Sequence, residues 1–383
     1  MSLNMIKIPV IYHGKGSLKE LKQLKRRKIF IVTDKNLWEL FGGKVSRYFK
    51  KKEMKVFDEI KSDPKDTTII KGSNVAREFK PDLIIGFGGG SVMDVAKMIF
   101  FLYEREDKIL YDLNPISYFK LGKKSKLVLI PTTSGTGAEH TPGAVVTKTE
   151  TGQKVTLTSF EIIPSIVIID PKLTLGMPSK LTAATGVDAI VHAIEAVSNK
   201  LNNDFTEACN LHAIKLLFKY LPLAVGKESS NIDVRERVHN GASLAGIGFG
   251  NSSCGIAHSC GHALGGVFYI QHGIAVGVML PYVIEFNKAE CEEKYKDILE
   301  VFNIPSNQPT STLVKMIKSL YKEINIPTTL NKLISETDWK QGFEKLVDFA
   351  KRDLLVGLNP RFTAEEDFRK IFQCAYEGKS VDW

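Results

Sequence analysis

The chain has 383 residues, too many for one average domain and about right for two. Hydrophobic residues make up 43% and charged residues 25%, a globular balance in which no apolar run reads as a membrane span. The net charge of +9 admits nucleic acid, but the lysines stand in short groups (25–28, 50–52, 123–124) without interleaved aromatics, so they read as a solvated surface.

The start, MSLNMIKIPV, has no long apolar core and no small-residue cleavage site, so the cytoplasm is the expected location. The residues ahead of Met5 read equally as native sequence or as an added leader. KIFIVTD (28–34) is a short buried-type strand, and MKVFDEI (54–60) is another. A helical pattern covers 63–79 before DLIIGFGGG (82–90), a strand that runs into glycines. KLVLIPTT (126–133) and SIVIIDP (165–171) complete the set. Strands alternating with helices predict a Rossmann-like parallel sheet wrapped by helices. After Pro178 the apolar residues recur every three or four positions and no strand is expected. The expected domains are thus an α/β unit over 1–177 and an all-α unit over 178–383.

GFGGGSVMDVAK (86–97) follows a strand and opens a helix. Glycines there let a backbone approach a phosphate, and free amides at a helix start hold an anion. A tight strand-to-helix turn is the other reading, and the context favours the phosphate. PTTSGTGAEHTPGAVVT (131–147) reads as a second polar loop after a strand, and two such loops suggest a dinucleotide. Asp34, at the end of KIFIVTD, either bonds a ribose hydroxyl or caps the helix that follows.

The second half holds a different constellation. Asp188 and His192 are four apart in GVDAIVHAIEA, and so are His258 and His262 in GIAHSCGHALGG, with His272 after a turn. On helices such pairs share a face. Asp188, His192 and two of the three later histidines make an N,O donor set suited to Fe(II) or Zn(II). Cys254 and Cys260 flank His258 but lack ordered spacing, and read as small packed residues.

GGGSVMDVAK, PTTSGTGAEHT, TAATGVDAIVHAIEA and HSCGHALGG followed by HG and LPYVIEFN occur in order at family-like spacing. On them, over nearly its whole length, the chain resembles the iron-containing (group III) alcohol dehydrogenases. The resemblance implies a dehydroquinate synthase-like architecture, with an N-terminal dinucleotide-binding α/β domain and a C-terminal helical domain. It implies metal ligation by Asp188, His192, His258 and His272, and proton movement by His262. It places Gly88, Gly89, Gly90 and Ser91 at the pyrophosphate, and Asp94, Thr132, Thr133, Thr136 and Lys154 along the cofactor. Asp34 then matches a position that favours NAD over NADP.

Ala138 departs from the serine usual in the family's loop. Gly143 stands where a polar residue sometimes faces substrate, Leu355 where some relatives have cysteine, and Phe249 matches an aromatic pocket wall. These replacements imply a roomier, apolar pocket for an unbranched aliphatic alcohol or its aldehyde. The expected activity is metal-dependent hydride transfer between that pair and NAD(H), with Fe(II) ahead of Zn(II). A glycerol or diol dehydrogenase, a dehydroquinate-synthase-like lyase and a non-catalytic NAD-binding relative are the alternatives. A homodimer or larger assembly is expected, with no nucleic acid or membrane partner.

Overall fold

Among the described residues eight strands form in the first half of the chain: β1 (Val10–His13), β2 (Lys28–Val32), β3 (Glu53–Phe57), β4 (Leu83–Gly88), β5 (Lys126–Pro131), β6 (Gly143–Thr147), β7 (Lys154–Thr158) and β8 (Ile166–Ile169). The structure is a computed structural model describing residues 5–61 and 63–383, so the residues ahead of Met5 lie outside it. Six strands make one sheet in the order β1-β8-β5-β4-β2-β3, with every neighbouring pair parallel. Period-two alternation sorts its side chains. Ile29, Ile31, Leu83, Ile85 and Phe87 pack into one core, while Phe30, Val32 and Ile84 pack into the core on the opposite face.

From β2 the chain winds outward to β3, then returns to β4 and builds the other way through β5. The switch point therefore lies between β2 and β4. There the C-terminal ends of the two strands leave a crevice in which open parallel sheets bind ligands. Helices α1 (Lys35–Ser46), α2 (Asp66–Phe79) and α3 (Gly90–Glu104) follow β2, β3 and β4.

β1, β6 and β7 were not foreseen. Val10 and His13 are exposed on a four-residue edge strand, too short for an apolar run. β6 lies inside the stretch read as a polar loop and pairs antiparallel with β7. Its Ala144 and Val146 alternate into the core of the sheet unit, a face too short to stand out among the loop's glycines and hydroxyls.

The chain divides into two compact units, one ending at Gly176 and the other Met177–Trp383. Among the described residues the second unit has no strand. It holds α4 (Ser179–Ser198), α5 (Asp204–Val225), α6 (Ile232–Gly250), α7 (Ile256–Phe268), α8 (His272–Phe286), α9 (Lys288–Glu300), α10 (Pro309–Glu323), α11 (Glu336–Lys351) and α12 (Glu365–Glu377). Its core is built around α4, whose Val187, Ile190, Val191 and Ile194 meet Leu217, Leu221, Val276 and Leu280. One expectation needs correcting: α4 is long and apolar enough to cross a membrane by length and composition. Of its apolar 18-residue window 83% is buried, the setting of a core helix.

Candidate active site

α4 presents Asp188, His192 and Glu195 at successive turns of one face, all buried. His258 and His262 share a face of α7, and His272 is the first residue of α8 rather than part of a turn. Two glycines bring these elements together. A Cβ on Gly273 would meet the Ala184 carbonyl oxygen at 2.1 Å, and one on Gly261 would meet Val276 Cγ1 at 2.4 Å. Only side chains without a Cβ allow α4, α7 and α8 this close approach, which explains why imidazoles and glycines crowd one segment.

The imidazoles converge on Asp188. Its Oδ1 lies 3.3 Å from His272 Nε2, 3.8 Å from His258 Nε2 and 3.8 Å from His192 Nδ1. Asp188, His258 and His272 each bring a ligand atom within 4.8 Å of the others. His192 falls in an overlapping group with His258 and Cys254. Its ring stacks on Phe249 at 3.9 Å and tilts over His258 at 4.4 Å. Cys254, read from sequence as packing only, thus has its thiol at the edge of the donor set.

Asp188 Oδ1, His192 Nδ1 and His258 Nε2 are buried without a hydrogen-bond partner. Such orphaned atoms are costly unless something satisfies them. One carboxylate oxygen and imidazole nitrogens aimed at a common point fit a divalent cation. Burial alone pushes the Asp188 carboxyl up, but His192, His272 and His258 together hold it well below the usual range. Burial holds His192 down at about 3, so it is neutral and fit to donate a lone pair.

Two carboxylates that were not singled out orient the histidines. Glu195 Oε2 lies 2.6 Å from His258 Nδ1, and its Oε1 accepts from the Ala257 amide at 2.6 Å. Glu195 continues the Asp188–His192 stripe, so helical spacing was the signal that could have found it. Burial disfavours a charged His258, yet Cys254, Asp188 and Glu195 outweigh it and raise its pKa well above the ordinary value. Asp353 Oδ2 lies 2.7 Å from His262 Nδ1 across 91 positions, and no local pattern marks that pair. Leu355, two residues on, donates its amide to Asp353 Oδ1 at 2.9 Å, in a short 3-10 turn over Leu354–Leu358.

In the first unit the two polar loops meet. β4 ends at Gly88, and α3 begins at Gly90 and Ser91 with no side chain capping its amides. A Cβ on Gly89 would sit 3.4 Å from Thr133 Oγ1, and one on Gly90 3.0 Å from Thr136 Oγ1. The Thr132 amide donates to the Gly88 carbonyl at 3.1 Å. Open amides at a helix start, beside threonine hydroxyls, suit a phosphate.

Asp34 caps α1, its Oδ1 accepting from the Leu37 amide at 2.9 Å, so the capping reading is met. Lys154 is exposed and paired with Asp63. Asp94 Oδ2 accepts from the Val145 amide at 3.0 Å, and burial pushes its carboxyl up to about 6 against the pull of Lys97. Gly143 belongs to this unit, not to the metal group, and its carbonyl accepts from the buried Lys97 Nζ at 2.7 Å.

Known proteins match this chain over nearly its whole length. The family model for "Iron-containing alcohol dehydrogenase" matches residues 9–171, and that for "Fe-containing alcohol dehydrogenase family, C-terminal" matches residues 182–376. The NADPH-dependent butanol dehydrogenase of Clostridium saccharobutylicum is 37% identical over 382 residues, 97% of this chain and 98% of that one. The 1-propanol dehydrogenase of Citrobacter freundii is 32% identical over 373 residues, covering 95% and 97%. The chain spans 46% of the bifunctional aldehyde-alcohol dehydrogenase of Escherichia coli, at 33% identity. A solved 1,3-propanediol oxidoreductase superposes with a TM-score of 0.90 at 32% identity, covering 97% and 100%. A sulfoacetaldehyde reductase from Bifidobacterium kashiwanohense, solved with NAD+, gives 0.88 at 26%, covering 98% and 99%. The orphaned donor set of the helical unit and the phosphate-type loops of the sheet unit thus share one origin: the chain belongs to the iron-containing alcohol dehydrogenase family, oxidoreductases that interconvert alcohols and aldehydes with a nicotinamide dinucleotide and a divalent metal.

Proposed function

We propose that the chain interconverts small unbranched primary alcohols and their aldehydes, using NAD(H) in preference to NADP(H) and Fe(II) in preference to Zn(II). The observation that carries the reading is the group Asp188, His258 and His272, with His192 beside it and orphaned buried atoms turned inward. A cation held there supplies a Lewis acid to a substrate oxygen, and the dinucleotide carries the hydride.

The chain's own residues do the rest. Asp188 contributes the anionic donor, and Glu195 holds His258 in a fixed orientation. His262 joins neither donor group and, at 38% exposure, is open to exchange a proton with substrate or solvent. Phe249 on His192, and Leu355 beside Asp353, support an apolar pocket wall in this unit. Asp34 supports NAD because its cap engages only Oδ1, leaving a carboxylate oxygen to meet a ribose and repel a 2′-phosphate. The relative named as NADPH-dependent makes that preference the part most in need of a test.

All five cysteines are free, which suits the reducing cytoplasm. An assembly of at least two copies, and independence from nucleic acid and membrane, are proposed on the sequence and the family resemblance. A diol substrate is the second reading, favoured by the 1,3-propanediol oxidoreductase likeness.

The test is NADH absorbance with apo-protein under anaerobic conditions, butanal as substrate, and Fe(II), Zn(II) or no metal added. Metal-dependent NADH loss is expected, fastest with Fe(II), and slower with NADPH in its place. No loss with any metal across several aldehydes would sink the reading. A higher kcat/KM for glycerol or 1,2-propanediol than for 1-butanol would replace it by the diol reading.

A further inference from the structure

His262 and Asp353 form a pair that the donor set does not explain. The two are 2.7 Å apart, Nδ1 to Oδ2, on elements far apart in sequence. Asp353 is not free to turn. Its other oxygen caps the 3-10 turn through the Leu355 amide at 2.9 Å, and its own amide donates to the Ala350 carbonyl at 3.2 Å. Burial alone would push this carboxyl up, but the bond to His262 holds it below the usual range, so it is an ionised acceptor. The His262 ring is also braced by stacking on His272, with centroids 5.4 Å apart and planes 19° apart.

A carboxylate can only accept a hydrogen bond, so the Nδ1 that faces it must carry the hydrogen. In a neutral imidazole this leaves the lone pair on Nε2, the nitrogen directed away from Asp353. The same logic operates at His258, where Glu195 takes Nδ1 and Nε2 turns to Asp188. At His262 the freed Nε2 is not in a ligand group, so the arrangement leaves it available to a proton rather than a metal.

We propose that Asp353 is a positioning residue for the reaction: it fixes the tautomer and orientation of His262 so that Nε2 is the atom that handles the substrate proton. This rests on the reading of His262 as the proton-moving group. Asp353 touches neither substrate nor cofactor in this role and acts only through the ring.

The experiment uses full-length enzyme loaded with Zn(II), with ¹⁵N-labelled histidine, and reads the ring protons of His262 by long-range ¹H–¹⁵N NMR. Wild type is expected to carry the hydrogen on Nδ1, and Asp353→Ala to populate the Nε2–H form. In parallel, Asp353→Ala should lower kcat roughly 10- to 100-fold with KM and bound metal little changed. Its effect should vanish in a His262→Ala background, since residues acting as one unit are not additive. If Asp353→Ala loses its metal or fold, Asp353→Asn carries the test, because its amide oxygen still accepts and should restore much of the Nδ1–H form.

An unchanged His262 tautomer in Asp353→Ala, or loss of the Nδ1–H form in Asp353→Asn, would overturn the proposal, and so would losses that multiply in the double variant. If wild type proves inactive toward every aldehyde, the functional reading fails and this role in the reaction falls with it. A tautomer that Asp353→Ala leaves unchanged, where wild type is active, sinks the positioning role alone.

Discussion

At the scale of single residues, the site is built from pairs in which a carboxylate orients an imidazole. Glu195 grips both the His258 ring and the Ala257 amide, each at 2.6 Å, so it fixes the start of α7 and the nitrogen that faces Asp188. Partners of this kind typically contribute 10- to 100-fold in metal affinity. Glu195→Gln is therefore expected to weaken metal retention by roughly that factor while the helical content stays, read by competition with a chromogenic chelator. Retention equal to wild type would reduce Glu195 to a clamp between α4 and α7. Asp188, His192, His258 and His272 were legible because each pair obeys helical spacing or carries the family's motif. Asp353 was not, since its partner lies 91 positions away and only the folded chain brings them together.

At the scale of elements, glycine positions decide which helices can touch. A methyl at Gly273 would press on a backbone carbonyl at 2.1 Å, which cannot rotate away, whereas Gly43 on α1 has nothing within 4 Å. Gly273→Ala is expected to destabilise the protein by about 1–3 kcal/mol and to lower its metal content, because it displaces the first turn of α8 that carries His272. Gly43→Ala, by contrast, should be neutral or stabilising by up to about 1 kcal/mol. Denaturant midpoints and metal analysis on the two variants check this, and equal behaviour would mean that α8 is free to shift. The strands read as apolar runs appear as β2 to β5 and β8. The hairpin β6–β7 did not announce itself, because each strand offers only two inward apolar positions between threonines and lysine; Ala144, Val146 and Leu157 pack in the core of the sheet unit, and Lys97 bonds the Gly143 carbonyl.

At the scale of the whole molecule, the net charge of +9 matters less than the ionisable groups that folding buries. Burial pushes the Glu139 carboxyl up to about 7 from its ordinary 4.5, against the opposing pull of Lys97. The folded chain keeps that proton while the unfolded chain releases it, so stability falls as pH rises from about 4.5 to about 7. Buried His140, held down at about 3, works in the opposite direction, gaining stability as pH rises toward 6.5, and is common to wild type and variant. The melting temperature of Glu139→Gln should therefore gain on wild type across pH 4.5 to about 7 and hold level above it. A difference independent of pH would show that Glu139 is ionised in the folded protein.

The sequence by itself determined the two-part plan, the parallel sheet, the helical second half and the residue types of the donor set. These rest on short-range periodicity, which a chain displays before it folds. Tertiary structure alone decided that α4, α7 and α8 meet at glycines, that Cys254 stands beside His192 and His258, and that Glu195 and Asp353 each seize an Nδ1. These contacts are set by packing and by the need to satisfy buried polar atoms; helical spacing puts Glu195 on the face of His192, but no local pattern encodes which distant ring it or Asp353 takes.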